Sequence, residues 1–182
     1  APPEVFSAGG PIGYDLNFGY TGDFSAAPRG LVPALTADET VEDDPADSFD
    51  PNGEGVTGFQ LGVPAGLSYL RFSLFDANVT AGADLDLYLY RIVNNNELEF
   101  VADSATSTSN EDVNVPNPEA GDYVIFVHGF NVPTPPGTPN FTIFAWMLGT
   151  TDEGNMTVTA PATATTGAAG TINLSFTGLA TG

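Results

Sequence analysis

The stretch Asp84-Leu85-Asp86-Leu87-Tyr88-Leu89-Tyr90 alternates without a break. Side chains of an extended chain point to opposite faces in turn, so Leu85, Leu87 and Leu89 share one face and Asp84, Asp86, Tyr88 and Tyr90 the other. This spacing predicts a half-buried strand with its leucines in the core. Two carboxylates about 7 Å apart then stand at its entrance.

Similar alternation spreads outward from this strand in both directions. Upstream, Phe59, Leu61 and Val63 alternate, and after a turn at Pro64–Ser68 so do Leu70, Phe72 and Leu74. Downstream, an Asn94-Asn95-Asn96 turn returns the chain as Leu98 and Phe100, which reads as a hairpin. Val113 and Val115 make a short strand that Pro116 and Pro118 close. Tyr123–His128 and Phe141–Leu148 are apolar on both faces, and the first belongs at a sheet centre. A Pro-rich loop, 131–139, joins them. Strands recurring about every ten residues, with no helical periodicity, predict an all-β protein, a β-sandwich of jelly-roll or Ig-like type.

The ends of the chain carry weaker strand signals. Val5–Phe6, Tyr14–Tyr20 and Leu31–Leu35 are short apolar patches, and Met156–Ala160 and Ile172–Phe176 alternate. The expected organisation is 1–37 as N-terminal strands, 38–54 as an acidic linker, 55–150 as the sandwich and 151–182 as C-terminal strands. A lone hairpin is marginal in water, so the end strands are expected either to pair with those of 1–35 as a second unit, the favoured arrangement, or to belong to a truncated domain.

Composition restricts the function. The chain has 182 residues, with 3 Lys plus Arg against 23 Asp plus Glu and a net charge of −20. Nucleic acids and anionic membranes need a basic footprint and are excluded as partners. Without cysteine there is neither a disulfide nor a thiolate metal site, and His128 is the single histidine. No apolar run is long enough to span a bilayer, and Ala-Pro-Pro-Glu at the start is not a signal peptide, so the sequence reads as a processed fragment.

Eight acids crowd 38–54, a segment broken by Pro45 and Pro51. A like-charge block is ordinarily a solvated linker. Its Asp47, Asp50, Asn52 and Glu54 nevertheless supply hard oxygen ligands around a turn, a donor set suited to Ca²⁺ and joined here with Asp84 and Asp86 as candidate metal ligands. Against the metal, Asp84 and Asp86 would accept hydrogen bonds from a neighbouring turn, with Arg71 and Arg91 as counter-charges. Tyr88, Tyr90 and Trp146 are candidates for an aromatic ligand-binding strip, the alternative being burial in the core. No Gly-x-Ser-x-Gly elbow or other catalytic constellation is present.

With the strands placed, the central region resembles the bacterial pre-peptidase C-terminal domain. The resemblance rests on Tyr69–Phe75, Asp84-Leu85-Asp86-Leu87-Tyr88, Ser109-Asn110-Glu111 and Ala120-Gly121-Asp122-Tyr123. The flanks are similar to the C-terminal extension of secreted subtilisin-like serine proteases, through Gly19–Phe24 and Pro28–Pro33, with a fibronectin-III-like segment from Asn155. This resemblance implies a secreted, non-catalytic piece of a protease, partnered by its catalytic domain and by extracellular protein or polysaccharide. It also implies structural calcium where the incoming linker meets the sandwich. A calcium-dependent adhesion or carbohydrate-binding module of a surface protein is the rival reading.

Overall fold

A computed structural model describes residues 10–94, 97–133 and 140–178. Val5–Phe6, the Asn95-Asn96 part of the turn and residues 134–139 of the Pro-rich loop lie outside the described residues. The chain is almost wholly β and divides into two compact units, one of Ala1–Val32 with Thr151–Gly182, the other of Pro33–Thr150.

In the first unit, β1 (Ile12–Asn17) pairs antiparallel with β13 (Ala169–Phe176), which also pairs with β11 (Met156–Thr159). The short β2 (Gly22–Asp23) pairs with β12 (Thr163–Ala164). Phe18 is the buried aromatic of this unit, with Phe24 edge-on at 5.2 Å.

The second unit is a sandwich of two four-stranded antiparallel sheets. One has the order β3 (Leu35–Glu39), β10 (Phe141–Leu148), β5 (Tyr69–Leu74), β8 (Glu111–Pro116). The other runs β4 (Val56–Val63), β9 (Gly121–Asn131), β6 (Asp84–Ile92), β7 (Leu98–Ser104). Leu85, Leu87 and Leu89 of β6 are fully buried and meet Leu70, Phe72 and Leu74 of the facing sheet. Each such side chain is worth roughly 1.5–3 kcal/mol on burial, so the β6 face is a principal source of cohesion. Both apolar-faced strands, β9 and β10, take central places.

The segment 38–54 is not a linker. Its first residues belong to β3, whose register on β10 pairs Asp38 with Thr142 and Glu39 with Phe141. Beyond β3, Val41 is 2% exposed, and its N–H and C=O are both bonded to the side-chain amide of Asn140. Like-charge repulsion argued for solvent, but distant hydrogen-bond partners such as Asn140, invisible to local patterning, bring this segment into the sandwich.

Candidate functional site

The acidic segment crosses the outer face of the β4-β9-β6-β7 sheet close to β9. It can do so because position 129 is glycine: a Cβ there would lie against the Glu42 carbonyl oxygen more closely than real Cβ atoms come. Gly55, with φ 64°, closes the far end of the loop, where a Cβ would lie 2.7 Å from the Asp44 nitrogen. Between these points the Asp44 N–H donates to the Gly129 carbonyl.

Asp44 folds back on its own turn and down onto the sheet. Its carboxylate accepts the N–H groups of Ala46 and Ser48 at 2.9 and 3.0 Å, and its Oδ2 lies 3.0 Å from His128 Nε2. On the other side of the ring, His128 Nδ1 lies 3.2 Å from Asp86 Oδ2. Register brings Asp86 there, since it sits directly opposite His128 in the β6–β9 ladder. All three side chains are buried. Two nitrogens facing two carboxyl groups require one proton more than a neutral imidazole carries, on the ring or on Asp86. The backbone donors of Ala46 first, then His128, hold the Asp44 carboxyl below its ordinary value, whereas burial pushes Asp86 up despite the His128 contact.

Aromatic rings enclose this group. Phe49, carried by the same acidic loop, lies flat on Tyr88 at 3.9 Å and 8°, and stands edge-on to His128 at 5.8 Å. Tyr90 and Phe126 continue the cluster. Phe49 therefore covers Tyr88, and burial, with the Asp86 charge second, pushes the Tyr88 hydroxyl up to about 12.

At the start of β6 a second polar cluster forms. Ser109 Oγ donates to the Ala83 carbonyl and accepts the Leu85 N–H, both at 3.0 Å. Asn110 brackets Asp76, its amide donating to Oδ2 and its oxygen accepting the Asp76 N–H. Glu111, fully buried, takes bonds from Ser104 Oγ, Thr106 N–H and Thr106 Oγ1. The Ser-Asn-Glu triplet thus clamps the β6 entrance. Asp84 Oδ1 is buried without a hydrogen-bond partner, beside a hollow lined by Asp76, Thr80, Thr108 and Asn131. Burial, then the charges of Glu111 and Asp76, push its carboxyl up.

The six candidate metal ligands divide among separate tasks. Asp86 is engaged by His128. Asp50 closes its own turn, accepting the Asn52 N–H on Oδ1 and the Gly53 N–H on its carbonyl. Asp47 holds a left-handed backbone, φ 49°, and like Asn52 and Glu54 it is exposed. Asp84, beside a hollow that Asp76 also lines, is the candidate whose buried oxygen lacks a hydrogen-bond partner among the described residues. Among the described residues no three His, Cys, Asp or Glu side chains gather as a cation cage.

The arginines do not serve Asp84 or Asp86. Arg71 pairs with Asp112 at 2.6 Å, and Arg91 with Glu119. Each faces its partner across or beside the outer surface of a sheet, where carboxylates are nearer than the β6 entrance. Nor do the three candidate aromatics make one strip. Tyr88 and Tyr90 lie on β6, while Trp146 lies on β10 of the opposite sheet, stacked on Phe144 at 6.0 Å with the Arg71 guanidinium 5.4 Å from its ring.

Asp44, Phe49, Glu111 and His128 carry the polar and aromatic architecture, yet the sequence singled out none of them as a site. Only the triplet containing Glu111 stood out, and then through resemblance. Among the described residues, the hydrogen-bond partners of the His128 ring are two carboxylates and no hydroxyl. A general base needs a nucleophile within reach, so this arrangement fastens a loop to a sheet.

Residues 58–129 match the family model of the bacterial pre-peptidase C-terminal domain. This family is a non-catalytic accessory domain, usually found C-terminal in secreted proteases. No curated protein matches the chain. The match begins after the acidic loop and ends at Gly129, the residue over which that loop passes, so Asp44 and Phe49 lie outside the matched segment.

Proposed function

We propose that the chain is a non-catalytic accessory module of a secreted serine protease of subtilisin type, which stabilises or anchors the protease or helps it engage protein substrate. The observation that carries this reading is the family match over the sandwich, together with a single histidine committed to two buried carboxylates. Absence of any long apolar helix among the described residues accords with a partner working outside the membrane. The stacked Trp146–Phe144 pair, on a sheet face that also holds Arg71, supports protein or polysaccharide contact there.

The reading is tested in the parent gene and its product. A serine-protease domain should lie upstream, and deleting residues 1–182 should spare hydrolysis of a soluble peptide while lowering activity on insoluble protein or shortening the enzyme's lifetime. A parent without a protease domain sinks it.

Structural calcium belongs to this reading, with Asp84 and Asp76 as its carboxylate ligands; the unpartnered Asp84 oxygen supports it. Melting in Ca²⁺ should then exceed melting in EDTA, because an ion held only by the folded state adds stability. Equal midpoints would leave Asp84 a buried carboxyl with no cation partner.

A further inference from the structure

The sandwich has four edge strands, β3, β8, β4 and β7. Natural sheets blunt such edges with charge or proline, because an open edge pairs with foreign chain. Three of these edges follow the rule: β3 carries Asp38 and Glu39, β7 Glu99 and Asp103, and β8 Glu111, Asp112 and Pro116. The fourth, β4, reads Val-Thr-Gly-Phe-Gln-Leu-Gly-Val, eight residues without a charge or a proline.

Its free hydrogen-bonding groups can be assigned. Gly129 N–H donates to the Gly55 carbonyl, so in this antiparallel register odd-numbered β4 residues bond to β9 and Gly58, Gln60 and Gly62 turn N–H and C=O outward. All three are exposed. Next to this edge the two sheets part around a cavity of about 160 Å³, lined by Leu35, Ala37, Phe59, Leu61, Ile125 and Ala145. Leu35, 52% exposed, marks its mouth. An apolar cavity near 150 Å³ accommodates a ring the size of benzene. The strand on its far side, β3, presents the exposed carboxylates of Asp38 and Glu39.

We propose that β4 and this cleft form a strand-addition site for an extended basic segment of another protein, with one aromatic side chain in the cleft. Backbone bonds to Gly58, Gln60 and Gly62 supply the pairing. The cavity selects one bulky apolar side chain, and the field of a chain of net charge −20 favours lysine or arginine on the positions that face outward. A second copy of this chain is disfavoured by that same charge. The inference needs no protease parent and stands apart from the accessory-module reading.

The probe is the fluorescently labelled peptide Lys-Val-Lys-Trp-Lys-Val-Lys, blocked at both ends, titrated against the full chain, with a Glu-for-Lys peptide as control. Binding should slow amide exchange at Gly58, Gln60 and Gly62, and the Glu peptide should bind at least about tenfold more weakly. Gln60→Pro, which removes an outward N–H that β9 does not use, and Ala37→Leu, which fills the cleft from β3, should each weaken the Lys peptide about tenfold or more. Melting curves identify a variant that fails to fold, and the other then decides. The proposal is overturned if the Lys peptide does not bind, if exchange slows at another edge, if a folded variant binds like the parent chain, or if sedimentation shows that β4 pairs with a second copy.

Discussion

His128 Nε2 lies 3.0 Å from Asp44 Oδ2, joining residues 84 apart in sequence. With Asp86 on the other ring nitrogen, this contact is what fastens an acidic loop to the face of an acidic protein. Replacing His128 by Phe keeps a ring but leaves two buried carboxylates without their partner. The expected loss is on the order of 3–5 kcal/mol in urea unfolding, the cost of breaking a buried pair from one side. Unchanged stability would mean that the loop is held by its other contacts alone.

Stability should pass through a maximum in mild acid. Asp44 is depressed in the fold, so its contribution is complete above the ordinary carboxylate value of about 4 and disappears as pH falls through its lower folded value. Asp86 and Asp84 are raised, so the fold takes up protons there before the unfolded chain does, and stability rises as pH falls toward about 4. Melting measured from about pH 7 to pH 2.5 should show both limbs. Asp44→Asn should flatten the acid one.

Gly129→Ala places a methyl group against the Glu42 carbonyl, which is backbone and cannot swing aside. The variant should lose roughly 1–3 kcal/mol or more, as in other overpacked sites. Faster amide exchange at Asp44, whose N–H bonds the Gly129 carbonyl, would report that the loop has lifted.

Tyr88 should be the last tyrosine to ionise, at about 12, in a spectrophotometric titration. Phe49→Ala removes the ring stacked on it and should move that ionisation back toward the ordinary value of about 10. An unshifted Tyr88 would show that the sheet alone, without Phe49, keeps its hydroxyl dry.

Sodium chloride should raise the melting temperature, because added ions screen the self-repulsion of a chain with net charge −20. Magnesium or calcium chloride at equal ionic strength separates screening from site binding. A midpoint insensitive to sodium chloride would show that the carboxylates repel little in the folded state.

Period-two patterning made the sandwich legible where strands bury one face: Leu85, Leu87 and Leu89, and Leu70, Phe72 and Leu74, are core as their alternation requires. It failed at 38–54, where order comes from single long-range partners. Val41 depends on Asn140, and Asp44 on His128, and neither pairing leaves a periodic trace. Tyr88 was visible as an outward aromatic, but the ring that covers it belongs to a loop that composition assigned to solvent. Arg71 and Arg91 were correctly seen as scarce cations. The partner of Arg71 was decided by cross-strand register, which sets it beside Asn114 and next to Asp112, and that of Arg91 by the turn before β9, which carries Glu119.

The pairing of Leu35 with Ala145 has a consequence for how the chain assembles itself. The first and last strands of the sandwich are neighbours, so completing it brings residues 35 and 145 side by side. The strands β1 and β13, which must find each other across more than a hundred and fifty residues, then search over a much shorter effective loop. In a chain emerging N-terminus first, β1 waits until Leu174 has been made, by which time every strand of the sandwich is available. The inserted unit is thereby the folding template for the sheet that brackets it in sequence, and slowing the one should delay the other.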